Sequence, residues 1–124
     1  MTMIERMHDY IKKNRDARVD GYVVARRDGI KLVSTIEESP HISAITAAII
    51  GSAESFIQSM GAEVKSVSVI IESDKLNAVM MGAGTPILVA AIAKPGVELH
   101  GLVPHVKKLV EELSKMVEKD GRKE

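Results

Sequence analysis

The sequence predicts an α+β domain in which a five-stranded antiparallel sheet carries a long middle helix on one face and two terminal helices on the other. Two observations indicate this class: five short segments are rich in strand formers, and three longer segments repeat apolar residues every three or four positions. The predicted order is α-β-β-α-β-β-β-α, and 124 residues suit a single domain. We expect that domain to span residues 1–119, with 120–124 as a frayed tail.

A short helix and a hairpin are predicted for the start of the chain. Thr2 and Glu5 have the spacing of a capping box, and apolar residues recur at helical spacing behind them. Residues 19–26 are rich in strand formers, and residues 30–35 are a second such run. The segment between them, 27–29, ends in glycine, which readily takes the positive φ of a tight turn. The two runs therefore pair as an antiparallel hairpin.

The middle helix is the clearest in the sequence and is predicted from Ser39-Pro40 to Met60. Serine is a favoured N-cap, and proline fits the first helical position because an N–H there would have no partner within the helix. Gly61 stands where helices commonly end in a left-handed glycine. Both ends of this helix are therefore marked in the sequence.

Two stripes of residues run along the middle helix at about 100° per residue. We expect an apolar stripe to pack on the sheet: Ile42, Ile45, Ile49, Phe56 and Met60. The flank beside it consists of small residues: Ala44, Ala48, Gly51, Ser52, Ser55 and Ser59. This flank packs closely either on the protein's own structure or, in the interpretation that we favour, on a second copy of the chain.

Three further strands and a last helix follow. Residues 64–72, 76–81 and 87–93 are strand-like and are joined by short turns, which predicts an antiparallel meander. From about Gly101, apolar residues recur every three or four positions and predict a C-terminal helix. Pro104 fits only the first turn of that helix, because proline lacks the N–H that later turns require.

Composition argues against several classes of protein. The chain has 17 basic and 17 acidic residues and only 2% aromatic residues, so it lacks the charge and the stacking platform of a nucleic-acid binder. It has no cysteine, which excludes disulfides, thiolate nucleophiles and cysteine-bound metals. Its apolar runs stop short of the roughly 20 residues that cross a bilayer, and its N-terminus lacks the apolar core of a signal peptide. We therefore expect a cytoplasmic protein without membrane insertion.

Charge is distributed unevenly along the chain. Residues 1–31 carry eight basic and five acidic side chains, whereas residues 32–104 carry three basic and seven acidic ones. The N-terminal excess of positive charge indicates either a solvated surface or a basic docking patch.

No group of residues predicts catalysis or metal binding. Gly82-Ala83-Gly84 begins like a phosphate-binding loop, but a strand follows it instead of a helix, so we expect a hairpin turn. Ser52 and Ser55 lie within a helix rather than at the strand-to-helix turn of a catalytic serine. The four histidines lack the spacing of metal ligands and are expected on the surface. They are His8, His41, His100 and His105. We therefore expect no enzyme activity, no cofactor and no metal.

The strand at 64–72 is a candidate sheet edge, because neither of its neighbours in sequence is an upstream strand. It lacks proline and carries Lys65 as its only mid-strand charge, so it has few of the features that block pairing at an edge. An open edge beside a small-residue helix favours two-fold pairing of two copies, strand to strand and helix to helix. The candidate dimer-interface residues are Ala44, Ala48, Gly51, Ser55, Val67, Val69 and Ile71.

The sequence resembles the Roadblock/dynein-light-chain domain family over nearly its whole length. The matching segments are the strand and Asp-Gly turn at 19–29, the alanine-rich helix at 42–60, the Val/Ser strand at 64–72, the hairpin through 82–84, and 93–96 leading to 101–102. The resemblance implies a profilin-like sandwich that dimerises through its third strand and middle helix, as a non-catalytic platform. Prokaryotic members pair with Ras-like GTPases and promote GTP hydrolysis, and a free-standing, cysteine-free domain of this length is similar to that kind.

We therefore expect a homodimeric adaptor or regulator of a Ras-like small GTPase. On the helical wheel, three residues lie away from the predicted sheet-facing stripe and are candidates for GTPase contact: Ala47, Glu54 and Gln58. The alternatives are a small-ligand sensor with a pocket between sheet and helix, and a dimerisation module of a signalling complex. Arg26 and Arg27, beside the Asp-Gly turn, are expected to form a solvated hairpin tip.

Overall fold

The computed structural model describes residues 1–37 and 41–122, with side chains through residue 120. Its order of elements is the predicted one, and a short 3-10 turn precedes the last helix. In chain order the elements are α1 (Met3–Lys13), β1 (Val19–Arg26), β2 (Lys31–Ser34), α2 (Ile42–Ser59), β3 (Val67–Ile71), β4 (Asn77–Gly82), β5 (Ile87–Ala93), the 3-10 turn (Leu99–Leu102) and α3 (Val103–Arg122).

The five strands form one sheet in the order β2-β1-β5-β4-β3, and every neighbouring pair is antiparallel. Among the described strands, β3 pairs with β4 alone. This confirms that β3 lies at an edge of the sheet. Its outer side therefore presents backbone N–H and C=O groups that no other described strand pairs with.

Local sequence signals explain several boundaries. Thr2 Oγ1 accepts a hydrogen bond from the Glu5 N–H, and the Glu5 carboxylate accepts one from the Thr2 N–H, both at 3.2 Å. The predicted capping box is therefore present at the start of α1. Gly61 has a φ of 81°, the left-handed conformation expected after the middle helix. The predicted start at Ser39-Pro40 lies outside the described residues, and α2 begins at Ile42.

The C-terminal helix begins slightly later than predicted. The 3-10 turn occupies the predicted start, so α3 begins at Val103, with Pro104 in its first turn as expected. At the other end α3 continues through Arg122, beyond residue 119. Residues 123–124 lie outside the described part of the chain.

Each face of the sheet has its own hydrophobic core. α1 and α3 cover one face, and Met7, Ile11 and Leu113 are buried there. α2 covers the other face, where Ile50 packs with Leu88 and other sheet residues. Burial of apolar surface, at roughly 25 cal/mol per Å², stabilises both layers. The assignment of the middle helix to one face and the terminal helices to the other is therefore confirmed.

The rotation of α2 about its axis differs from the prediction. The buried residues of this helix are Ser43, Thr46 and Ile50, so the sheet-facing side is centred on Ile50. Three members of the stripe that we expected to face the sheet are exposed instead: Ile45 by 48%, Phe56 by 70% and Met60 by 74%. The prediction that these three side chains pack on the sheet is therefore wrong.

The composition of α2 explains this error. Glu54 is its only charged residue, and apolar side chains occur on every side of it, so hydrophobic periodicity does not define one face. One polar residue of α2, Thr46, takes a core position at little cost. The Thr46 hydroxyl donates to the Ile42 carbonyl at 2.9 Å, which satisfies it within the helix.

Candidate interaction surface

The exposed side of α2 is an apolar surface, which we call the α2 outer face. Its residues are Ala44, Ile45, Ala48, Ser52, Ser55, Phe56, Ser59 and Met60. Among the described residues, Met60 and Phe56 are the most exposed large hydrophobic side chains after the N-terminal Met1. Monomeric proteins rarely expose large contiguous apolar patches, and such patches commonly mark interaction sites. The α2 outer face is therefore the candidate functional surface of this chain.

The open edge of the sheet belongs to the strand that α2 packs on. Val67, Val69 and Ile71 alternate along β3 toward the core beneath α2, whereas Ile70 packs against the opposite core. Val69 and Ile71 are only half-buried, because no further strand lies beside them in the described chain. A strand added at this edge would bury these side chains and pair the free backbone groups.

The helical residues predicted for a dimer interface lie together on one side of α2. Ala44, Ala48 and Ser55 are exposed on the outer face, and Gly51 is half-buried at its margin. A Cβ built on Gly51 would have no heavy atom of the surrounding structure within 4 Å. A larger side chain there would therefore fit a single copy. The role of these residues in a dimer stays a prediction.

Only one of the three residues expected to face a GTPase lies on open surface. Gln58 is exposed, but Ala47 packs against the core around Ile50. The side chain of Glu54 is only 14% exposed and forms an ion pair with Arg27. The rotation of α2 accounts for this, since a wheel centred on Ile50 brings both residues toward the sheet. The outward orientation predicted for Ala47 and Glu54 is therefore wrong, and a GTPase contact by Gln58 stays a prediction.

Arg27 holds α2 against the turns at one end of the sheet. Both terminal nitrogens of its guanidinium bond the Glu54 carboxylate, with 2.8 Å between Nη2 and Oε2. Its Nε donates to the carbonyl of Thr85 in the β4–β5 turn. Bidentate pairing of this kind is strong and directional. Arg27 is exposed, as expected, but it also bonds Glu54 and Thr85, which are too distant in sequence for a local pattern to reveal.

The same turn also contacts the opposite helical layer. The Ser114 Oγ, on α3, lies 2.8 Å from the Thr85 Oγ1 and 2.6 Å from the Val110 carbonyl oxygen. Thr85 therefore has polar contacts with Arg27, which bonds α2, and with α3. These contacts fix the side of α2 that carries Glu54 and Gln58, which we call the polar margin of α2, to the rest of the fold.

A second polar cluster is formed by Tyr22, His105 and Asp16. The Tyr22 hydroxyl lies 2.7 Å from Nε2 of His105 and accepts a hydrogen bond from the Asp16 N–H at 3.0 Å. Burial lowers the pKa of His105 and raises the pKa of Tyr22, while hydrogen bonds from Arg18 lower the pKa of the Asp16 carboxyl. His105 is half-buried, contrary to expectation. The other histidines are exposed as predicted: His8, His41 and His100.

The glycine-containing segment that begins like a phosphate-binding loop is a hairpin turn. Gly82-Ala83-Gly84 leads from β4 into the β4–β5 turn, and Gly84 has a φ of 70°, which confirms the predicted hairpin. Within residues 1–37 and 41–122, no three His, Asp or Glu side chains are grouped to hold a metal ion. No helix in this part of the chain is long and apolar enough to cross a membrane.

Solved structures identify the fold. The chain superposes on an MglB with a tetrameric arrangement at a TM-score of 0.79 and 13% identity, over 96% of this chain and 93% of that one. A Roadblock/LC7 domain from Streptomyces avermitilis gives 0.70 and 16%, over 93% and 94% of the two chains. LokiProfilin1, solved with rabbit actin, gives 0.53 and 12%, over 94% and 98%.

At these identities the likeness shows the fold. The chain has the profilin-like α+β sandwich of Roadblock/LC7 domains, which confirms the fold that the sequence resemblance implied. No protein-family model matches the sequence, and no curated protein matches it.

Proposed function

We propose that this protein is a homodimeric, non-catalytic adaptor that binds a Ras-like small GTPase and modulates its nucleotide state. The observation that carries the proposal is the apolar α2 outer face next to the open edge of β3. The Roadblock/LC7 fold supports it. The sequence resemblance to that family implies a dimer built from the third strand and the middle helix and, in prokaryotic members, a GTPase partner.

In the proposed dimer the two β3 strands pair across a two-fold axis and the two α2 outer faces pack on each other. Strand pairing gives partners to the edge N–H and C=O groups. Helix packing removes Ile45, Phe56 and Met60 from water, and each fully buried side chain of this size contributes about 1.5–3 kcal/mol. The small side chains of Ala44 and Ala48 allow the helix backbones to approach closely. Each copy therefore contributes the same surface to a self-complementary interface.

The proposed GTPase contact lies at the polar margin of α2, near Gln58. In a dimer, two such margins lie side by side and form a composite surface. Arg27 is engaged by Glu54 and the Thr85 carbonyl, so it is not offered as an arginine finger. The protein would therefore act by stabilising one conformation of the GTPase's own switch regions.

Light scattering coupled to gel filtration tests the dimer. The wild-type chain is expected at twice its mass of 13.5 kDa. Gly51→Leu is expected to give a folded monomer, because the added side chain meets open space in one copy but a helix in two. Glu111→Leu adds the same side chain to the exposed side of α3 and should leave the dimer intact. An unchanged dimer mass for Gly51→Leu would count against this interface.

A pull-down with purified Ras-like GTPases of the host, loaded with GDP or a GTP analogue, tests the partner. At least one GTPase should bind in one nucleotide state, and the rate of its GTP hydrolysis or nucleotide release should change. Gln58→Glu should weaken that binding by about tenfold without changing the dimer mass. Recovery of no GTPase would overturn the proposed partner. A bound metabolite found by native mass spectrometry would then favour a ligand sensor.

A further inference from the structure

A basic groove between α1 and the β1–β2 hairpin has no part in the proposed function. Its volume is about 360 Å³, within the range typical of small-molecule sites. Three basic and three hydroxyl side chains line it: His8, Lys12, Arg15, Tyr22, Ser34 and Thr35. We call it the α1 groove. It lies on the side of the sheet that α1 covers, whereas the α2 outer face lies beyond the other side.

Two of the basic side chains, His8 and Lys12, lie four residues apart on one flank of α1, and Arg15 follows in the loop after the helix. None of the three forms an ion pair with a carboxylate of the described residues, whereas neighbouring Lys13 pairs with Asp9 at 3.0 Å. One guanidinium N–H of Arg15 donates to the Asp20 carbonyl at 3.0 Å. This bond anchors Arg15 at the groove and leaves its other N–H groups for a ligand.

The opposite wall adds a hydrogen-bond donor. The Thr35 Oγ1 accepts a bond from the Tyr22 N–H at 2.9 Å, which fixes its position and leaves its own proton for a ligand. The Ser34 hydroxyl is already engaged, since it donates to the Ile36 carbonyl at 2.8 Å. None of the residues that line the groove is acidic. The groove therefore combines positive charge with donors and suits an anion.

A neighbouring depression shows that the absence of acidic lining residues is specific to the α1 groove. It has a volume of about 440 Å³ and shares His8 and Lys12 with the α1 groove, but Glu5 and Asp9 also line it. Carboxylates at that position repel an anion. On the groove side of α1, no lining carboxylate offsets the charge of the basic residues.

We propose that the α1 groove binds a small phosphate-bearing molecule through Lys12, Arg15 and Thr35. Phosphate oxygens accept several charge-assisted hydrogen bonds at once, which matches two cationic donors and a hydroxyl donor. A lipid headgroup offers the same chemistry, but a groove that reaches the buried Tyr22 fits a soluble ligand better than a flat membrane surface. Because the groove lies across the sheet from α2, ligand binding does not depend on the proposed dimer or on a GTPase.

An NMR titration of the full chain with inorganic pyrophosphate, at constant ionic strength and neutral pH, tests the site. Backbone amide resonances of Lys12, Arg15 and Thr35 should shift together and saturate. Lys12→Gln should weaken binding at least about tenfold. The matched control Lys13→Gln removes the same charge one residue away, outside the groove, and should change the Kd by less than about twofold. Equal weakening by both variants would show non-specific attraction and overturn the proposal.

Two further measurements complete the test. Thr35→Val should also weaken pyrophosphate binding, and thermal unfolding of each variant shows that the fold is retained. Flotation with vesicles of phosphatidylcholine and phosphatidylserine separates the two sources of phosphate. Groove shifts without flotation support a soluble ligand. Flotation that persists in excess pyrophosphate, without saturable shifts in the groove, would assign the basic residues to a membrane surface and overturn the proposal.

Discussion

The helices on the two faces of the sheet have similar inner sides and very different outer sides. Ile50 of α2 and Leu113 of α3 are both fully buried against the sheet. The outer side of α3 is charged, with ion pairs such as Lys115 to Glu112 at 3.1 Å. The outer side of α2 carries Phe56 and no charged residue. The two helices therefore differ in their outer sides and not in how they pack against the sheet.

This difference indicates what each helix faces beyond the sheet. Charged outer positions suit water, as on α3, whereas a helix that is apolar on all sides is typically buried on all sides. α2 has this second pattern, but the described residues of a single copy cover it on one side only. A second copy that covers the α2 outer face would resolve the mismatch between its sequence and its surroundings.

The largest change in stability is expected from the inner side of α3. Leu113→Ala leaves a cavity in the core and should lower the free energy of unfolding by about 2–5 kcal/mol. Leu76→Ala removes the same atoms from a half-exposed position before β4 and should cost less than about 0.5 kcal/mol. Urea denaturation measures both values. Similar losses for the two variants would contradict the difference in burial between Leu113 and Leu76.

The next effect is expected on the α2 outer face and concerns association. Phe56→Glu places a charge in the proposed interface and should raise the dimer dissociation constant at least about 100-fold, with an unchanged circular dichroism spectrum. Lys108→Glu introduces the same carboxylate on the exposed side of α3 and should leave the constant unchanged. Sedimentation equilibrium measures both. If Phe56→Glu dimerises as tightly as the wild type, the proposed contrast between the outer sides fails.

A smaller effect is expected from the ion pair that fixes the margin of α2. Arg27→Gln and Glu54→Gln should each lower the free energy of unfolding, and a double-mutant cycle should give a coupling of about 1 kcal/mol. Partial exposure limits the coupling, since the Arg27 side chain is 35% exposed and solvent screens the pair. Additive effects of the two substitutions, measured by thermal or urea unfolding, would show that the pair contributes nothing.

The smallest effect is a pH dependence on the α1 and α3 side. Burial lowers the pKa of His105 below its ordinary 6.5; Arg18 and Lys108 reinforce this shift, and Asp16 opposes it. Between the folded and the unfolded pKa, His105 is therefore protonated in the unfolded chain and neutral in the folded chain. Stability should be greatest above pH 6.5 and fall as the pH drops through the folded pKa. His105→Gln should flatten this dependence, while His100→Gln should not. A wild-type profile that rises toward acid would contradict this sign.

The Asp16 carboxyl contributes in a separate range. Hydrogen bonds from Arg18 lower its pKa below the ordinary 3.8, so its contribution to stability is lost only as the pH falls below that value. The two groups are therefore distinguishable in one series of unfolding curves.

Local signals predicted much of the fold, and long-range contacts account for what they missed. The capping box at Thr2 and the left-handed Gly61 depend on residues near them in sequence, so they could be read directly. The edge position of β3 followed from the order of elements. The rotation of α2 did not, because its apolar residues surround the helix. The bond of Arg27 to Glu54 was also missed, because it joins distant segments that only the folded chain brings together.

The α1 groove is a second feature that local sequence signals could not predict. The sequence showed an excess of basic residues near the N-terminus, but charge counts do not tell which cations share a cavity. Lys12 lines the groove, while its neighbour Lys13 is paired with Asp9. The position of α1 over the hairpin produces this difference between adjacent lysines.

Site-directed cross-linking tests the pairing of the α2 outer faces most directly. The chain has no cysteine, so Ala48→Cys, Ser52→Cys and Ser55→Cys each introduce a single thiol on that face. If the two helices pack across a two-fold axis, at least one variant should form a disulfide-linked dimer rapidly under mild oxidation. Lys108→Cys, on the exposed side of α3, serves as the control. Cross-linking of all three variants no faster than the control would contradict the pairing of the α2 outer faces.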